Sequence, residues 1–136
     1  MPTFNREGMP DFLYRFVILY HQSPTEKHWD VMLETDTVLT TWSIPPQSLM
    51  GLSFACPAIR LPDHRKHYLD YEGEITGNRG TVSRIDIGTY QQFSPDTFFL
   101  HGAVFSGKLM VENKKMTFES SRAVKESHGL AEDERP

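Results

Sequence analysis

Apolar residues recur along this chain in short runs, closed at brief intervals by Gly, Pro, Asn or Asp, which is the pattern of successive β-strands rather than of helices. Phe12 to His21 forms a continuous apolar run, fit for a buried strand. His28 to Glu34 alternates Trp29, Val31 and Leu33 with His28, Asp30, Met32 and Glu34, so the first set is expected to face a core and the second a groove or barrel mouth. Thr35-Asp36-Thr37 turns the chain, and Val38 to Ile44 returns as the second arm of a hairpin that carries Trp42 in the apolar phase. Pro45-Pro46 ends that arm, because proline cannot donate to a ladder. Further strands are expected at Leu52–Leu61, Glu72–Thr76, Thr81–Ile87, Phe98–Val104, Lys108–Glu112 and Met116–Glu119. Turn residues at Gly77-Asn78-Arg79-Gly80, Ser106-Gly107 and Asn113-Lys114-Lys115 separate several of them. The predicted fold is all-β with minor helix: a small closed or nearly closed antiparallel barrel of about eight strands, closure being the way to remove exposed edges. Residues 1–10 are expected to be a flexible segment, residues 11–120 the barrel domain, and residues 121–136 a polar, disordered tail.

Composition narrows the class. A chain of 136 residues with 38% hydrophobic and 24% charged residues fits one soluble domain. Its longest apolar stretch falls far short of the roughly 20 residues a membrane helix needs, so no membrane association is expected. The N-terminus lacks a secretory pattern, and the single Cys56 cannot close an intrachain disulfide. A cytoplasmic location is therefore expected. The net charge of −4, which remains −3 for residues 1–120, argues against coating duplex DNA through many phosphates. It leaves room for a ligand held by a metal and a few side chains.

Six histidines concentrate the chemistry. His28 and Asp30 lie two apart in the alternating strand and share its face, and His21, at the end of the preceding strand, can reach the same end of the sheet. The resulting His, His, Asp set suits Mn²⁺, Fe²⁺ or Zn²⁺ with positions left open for water or substrate, although the pair also suits a plain solvated strand face. Pairing His28-x-Asp30 with a later histidine in an iron facial triad is a further reading. His101 is expected to be half-buried and hydrogen-bonded to backbone, while His67 and His128 belong to charged or polar segments. In the polar run from Asp63 to Gly73, His64 and Tyr68 can donate to a phosphoryl oxygen or leaving group, and Arg65 or Lys66 can neutralise charge; a solvated loop is the plainer alternative. Walker, GxGxxG, CxxC and GxSxG motifs are absent from the sequence.

The succession Arg15-Phe16-Val17-Ile18 leading to His21, then His28-Trp29-Asp30-Val31-Met32-Leu33-Glu34 and Val38 through Pro45, resembles the 3′-phosphoesterase domain of bacterial DNA ligase D. Asp63-His64, Tyr68, Asp70-Tyr71-Glu72-Gly73, Thr81-Val82, Gly88-Thr89-Tyr90, Leu100-His101-Gly102 and Ser106-Gly107-Lys108-Leu109 continue it in order. The resemblance implies a β-barrel with a manganese-dependent site that trims the 3′ ends of DNA or RNA-tipped primers. It implies His21, His28 and Asp30 as metal ligands, and His64 and Tyr68 as the catalytic, phosphate-contacting pair. Nucleic-acid 3′ ends would be the partners, with a separate DNA ligase or primase-polymerase as a companion protein.

The departures are specific. Met32 stands where the family carries an arginine, Pro46 where it carries a lysine, Pro62 at an acidic position, and Cys56 at a basic one. Arg60, Arg65 and Lys66 are the residues expected to resupply phosphate-binding charge. The alternative to a weakened enzyme is a degenerate, inactive module that binds metal or nucleic-acid ends.

Overall fold

The computed structural model describes residues 14–48 and 50–122. The strands are β1 (Tyr14–Gln22), β2 (Lys27–Glu34), β3 (Leu39–Ile44), β4 (Phe54–Pro57), β5 (Ile59–His64), β6 (Gly73–Glu74), β7 (Thr81–Ser94), β8 (Thr97–Gly102), β9 (Ser106–Glu112) and β10 (Lys115–Ser120). All pair antiparallel in the order β4-β10-β9-β8-β7-β1-β2-β3-β5, with the short β6 added to β7. One apolar cluster draws Phe16 and Ile18 from β1, Trp29, Val31 and Leu33 from β2, Leu100 from β8 and Phe118 from β10. Strands so far apart in the sheet share a core only because the sheet curls on itself. Its two edge strands are joined through Ala58, whose N–H bonds the Lys114 carbonyl, giving the expected nearly closed barrel with nine strands along the path.

Several boundaries differ from the sequence expectation. The run expected as one strand from Leu52 to Leu61 divides at Ala58, after Pro57, into the two edges of the barrel. β7 continues through residues 88–94, beyond the expected end at Ile87, because β8 supplies ladder partners as far as Ser94. Lys66–Leu69 forms a 3-10 turn that seals Leu69 against the barrel. The expected flexible segment 1–10 lies outside the described residues, as does the expected tail from 123 onward. Ser121 and Arg122 are described, and Arg122 donates to the Gly102 and Ala103 carbonyls.

The face of β2 opposite the inner cluster is not a plain solvated strand face. A second apolar cluster of Val17, Leu19, Met32, Leu39, Leu69 and Val82 covers it, with Tyr68, Tyr71 and Ile75 packed alongside. Trp29 through Leu33 are consequently all buried, and so are Phe16 through Leu19. Each fully buried aliphatic or aromatic side chain contributes about 1.5–3 kcal/mol. A bulge in β7 keeps the phase: Leu19 pairs with Arg84 but Ile18 with Asp86, so Asp86 turns inward while Val82 stays on the outer face. Inside, Asp86 accepts the backbone N–H groups of Ala103, Val104 and Phe105. Trp42 is half-buried rather than sealed, since it walls an open cavity of about 430 Å³ on the inner side of β2 and β3. No helix among the described residues is long and apolar enough to cross a membrane.

Candidate metal centre

Strand register assembles the cluster on the outer face. His21 lies directly across from His28 in the β1–β2 ladder, and Asp30 follows two residues later, opposite Leu19. Ligand atoms of His21, His28 and Asp30 all fall within 4.8 Å of one another, the one such group among the described residues. His28 Nδ1 is 3.0 Å from Asp30 Oδ1, and His21 Nδ1 is 3.6 Å from Asp30 Oδ2. The histidine that joins His28 and Asp30 in this cluster is the earlier His21.

Three features of these side chains fit a divalent cation. His21 Nε2 donates to the Arg79 carbonyl at 2.8 Å; since a carbonyl only accepts, the Nδ1 lone pair is left toward Asp30. Such a backbone acceptor behind the ring is the usual arrangement for a ligating histidine. His28 Nδ1 and Asp30 Oδ1 are sealed from water and, though close, are not aligned as a hydrogen bond. Asp30 itself is 3% exposed. Burial pushes its carboxyl above the usual carboxylate range, and His28, His21 and His64 oppose that shift without overcoming it. A buried carboxylate beside two imidazoles is a donor set that suits Mn²⁺, Fe²⁺ or Zn²⁺.

Above the cluster lies a small cleft of about 70 Å³ bordered by His21, Asp30, Met32, His64 and Tyr68. Ile75, Arg79 and Val82 complete its wall. His64 shares the outer face because it pairs with Leu39 across β3 and β5. Its Nδ1 faces the Pro62 carbonyl at 2.9 Å, which leaves Nε2 available, and its ring meets Tyr68 edge to face at 5.6 Å. His64 and Tyr68 are therefore brought to the candidate metal ligands.

The expected phosphate-binding cations are not. Arg60 pairs in register with Trp42, lies over that ring at 5.7 Å and bonds Asp63 at 2.9 Å, lining the inner cavity instead. Lys66 is held by Glu34 at 3.4 Å, and Arg65 is exposed outside the cleft wall. His101 is exposed, bonded to the Gln91 side chain rather than to backbone and tilted over Phe99. His67 lies tilted against Tyr68 in the 3-10 turn, and His128 lies outside the described residues. Sequence reasoning missed Arg79 in the cleft wall. Gly77-Asn78-Arg79-Gly80 reads as a turn, but a turn's local chemistry does not disclose which strand end it packs against.

The family model of the DNA Ligase D 3′-phosphoesterase domain matches residues 20–129, which include this whole cluster. The chain belongs to that family. It is 34% identical over 104 residues to the multifunctional non-homologous end joining protein LigD of Mycobacterium bovis, and equally to the corresponding DNA repair protein LigD of Mycobacterium tuberculosis. Those matches take in 68% of this chain and 14% of each relative, so this ligase D phosphoesterase-type domain spans a small part of the relatives' length. Within the domain, Met32 is 1% exposed and belongs to the second apolar cluster, so the position where the family's arginine was expected is apolar wall here.

Proposed function

We propose that this chain is a manganese-dependent phosphoesterase acting on 3′-terminal phosphoesters of DNA or RNA-tipped DNA during end repair. The observation that carries the reading is the convergence of His21, His28 and Asp30 beneath a cleft bordered by His64 and Tyr68. His21 Nδ1, a ring nitrogen of His28 and the Asp30 carboxylate would hold the cation. Bound there, it supplies Lewis-acid polarisation of a nonbridging phosphoryl oxygen. His64, tethered through Nδ1 to the Pro62 carbonyl, presents Nε2 to take up or deliver a proton at the ester oxygen. The Tyr68 hydroxyl donates to phosphoryl oxygen as charge develops there. Nucleic-acid 3′ ends are the partners in this reading, the compartment is the cytoplasm, and a separate DNA ligase or primase-polymerase supplies the companion activities.

The decisive assay follows a primer with one 3′-terminal ribonucleotide, with and without Mn²⁺. Shortened and dephosphorylated products are expected only with the metal, and His28→Ala should abolish them. Burial of Met32 favours a second reading, a module that binds metal and nucleic-acid ends without turnover. Retained Mn²⁺ binding with no product at high enzyme would select it.

A further inference from the structure

One permanently cationic residue borders the cleft. Among its described lining residues, Arg79 alone carries a permanent positive charge, whereas Arg60 and Lys66 are committed to other partners. We propose that Arg79 supplies the phosphate-contacting charge of this site. This rests on the phosphoesterase reading and deepens it by assigning the recognition of a 3′-terminal phosphate to a turn instead of to β2.

The turn is held firmly against the strand end that carries His21. Gly77, Asn78 and Gly80 all have positive φ, at 81°, 57° and 95°. A Cβ at Gly80 would come within 1.8 Å of the Gln22 carbonyl oxygen, so only glycine permits this approach. The Gly80 carbonyl accepts from Ile75 N–H at 2.8 Å, and the Arg79 carbonyl accepts from His21. One residue thus holds a candidate metal ligand through its backbone carbonyl and carries a cation at the border of the same cleft. The guanidinium spends Nε on the Thr76 carbonyl at 2.7 Å and Nη2 on Thr76 Oγ1 at 3.3 Å. Nη1 keeps its donors for a phosphate oxygen, and a fork of this kind suits phosphate better than an ammonium does. Thr76, by fixing Nε, limits the rotamers available and lowers the ordering cost on binding.

The test is fluorescence anisotropy with a single-stranded DNA oligonucleotide bearing a 3′-phosphate, against the same strand with a 3′-hydroxyl, in Mn²⁺ and before product is detectable. Mn²⁺-induced thermal stabilisation is recorded in parallel. Wild type is expected to prefer the phosphorylated end by about tenfold, the size of one charge-assisted contact. Arg79→Ala should erase that preference, Arg79→Lys should keep part of it, and all three proteins should show the same Mn²⁺ stabilisation, because the His21 contact uses only the backbone. Preference retained in Arg79→Ala overturns the assignment and leaves the phosphoesterase reading standing. Loss of the Mn²⁺ stabilisation in Arg79→Ala overturns it too, by showing that the side chain serves the metal site. A wild type stabilised by Mn²⁺ but indifferent to the 3′-phosphate overturns both.

Discussion

Asp30→Asn separates a buried carboxylate kept for a cation from one kept for stability. The substitution preserves shape and removes a charge that is 3% exposed, and for that charge burial outweighs the attraction of His21, His28 and His64. Because the folded-state pKa is raised, the Asp30 contribution to metal-free stability is fully present below the unfolded value of about 3.9 and is lost as pH rises through the folded value. Toward neutral pH the Asp30 carboxylate therefore costs stability relative to its protonated form, and metal-free Asp30→Asn is expected to melt at or above wild type. Mn²⁺ reverses the sign by favouring the ionised form. At about a hundred times Kd it adds about 2.7 kcal/mol to wild type, a rise near 10 °C for a domain of this size, and adds nearly nothing to Asp30→Asn. Differential scanning calorimetry at pH 7, with EDTA and with Mn²⁺, reads both arms. Destabilisation of metal-free Asp30→Asn by more than about 1 kcal/mol would refute the reasoning, since Asp30 would then act as a stabilising partner of its histidines. An undiminished Mn²⁺ shift in the variant would refute it equally.

Leu33→Ala removes a side chain 2% exposed within the inner cluster and should cost about 2–5 kcal/mol in urea unfolding; an unchanged midpoint would overturn the assigned phase of β2. Asp86→Ala strips the acceptor from three backbone N–H groups of residues 103–105 and should cost about 3 kcal/mol or more, measured in the same way. Tyr90, whose hydroxyl donates to the Glu34 carbonyl at 2.6 Å, has its pKa pushed up to about 12, mainly by burial. Its contribution is complete below the unfolded value of about 10 and is lost as pH climbs through 12, so Tyr90→Phe should flatten the alkaline limb of the stability–pH profile while costing about 0.5–1.5 kcal/mol at pH 7. Met32→Arg, which places a charge in the sealed second cluster, should lower stability by about 1–3 kcal/mol on calorimetry, whatever it does for phosphate binding.

What could be read from the chain alone is what short-range periodicity controls. Alternation along β2 placed Trp29, Val31 and Leu33 on one face and His28 with Asp30 on the other, because a strand repeats every two residues whatever surrounds it. The apolar run before His21 marked a buried strand, and the closely spaced turns indicated an antiparallel barrel. Tertiary structure decided how those faces are used. Met32 is sealed because the segment following His64 folds its 3-10 turn across the outer face of β1 and β2, an event no local pattern at Met32 encodes. Arg60 lies over Trp42, and the Arg79 carbonyl meets His21, because pairing register and the packing of a glycine turn fixed their positions. A strand's period states which residues share a face; which of two faces meets solvent, a second core or a cleft depends on contacts between segments far apart in the chain.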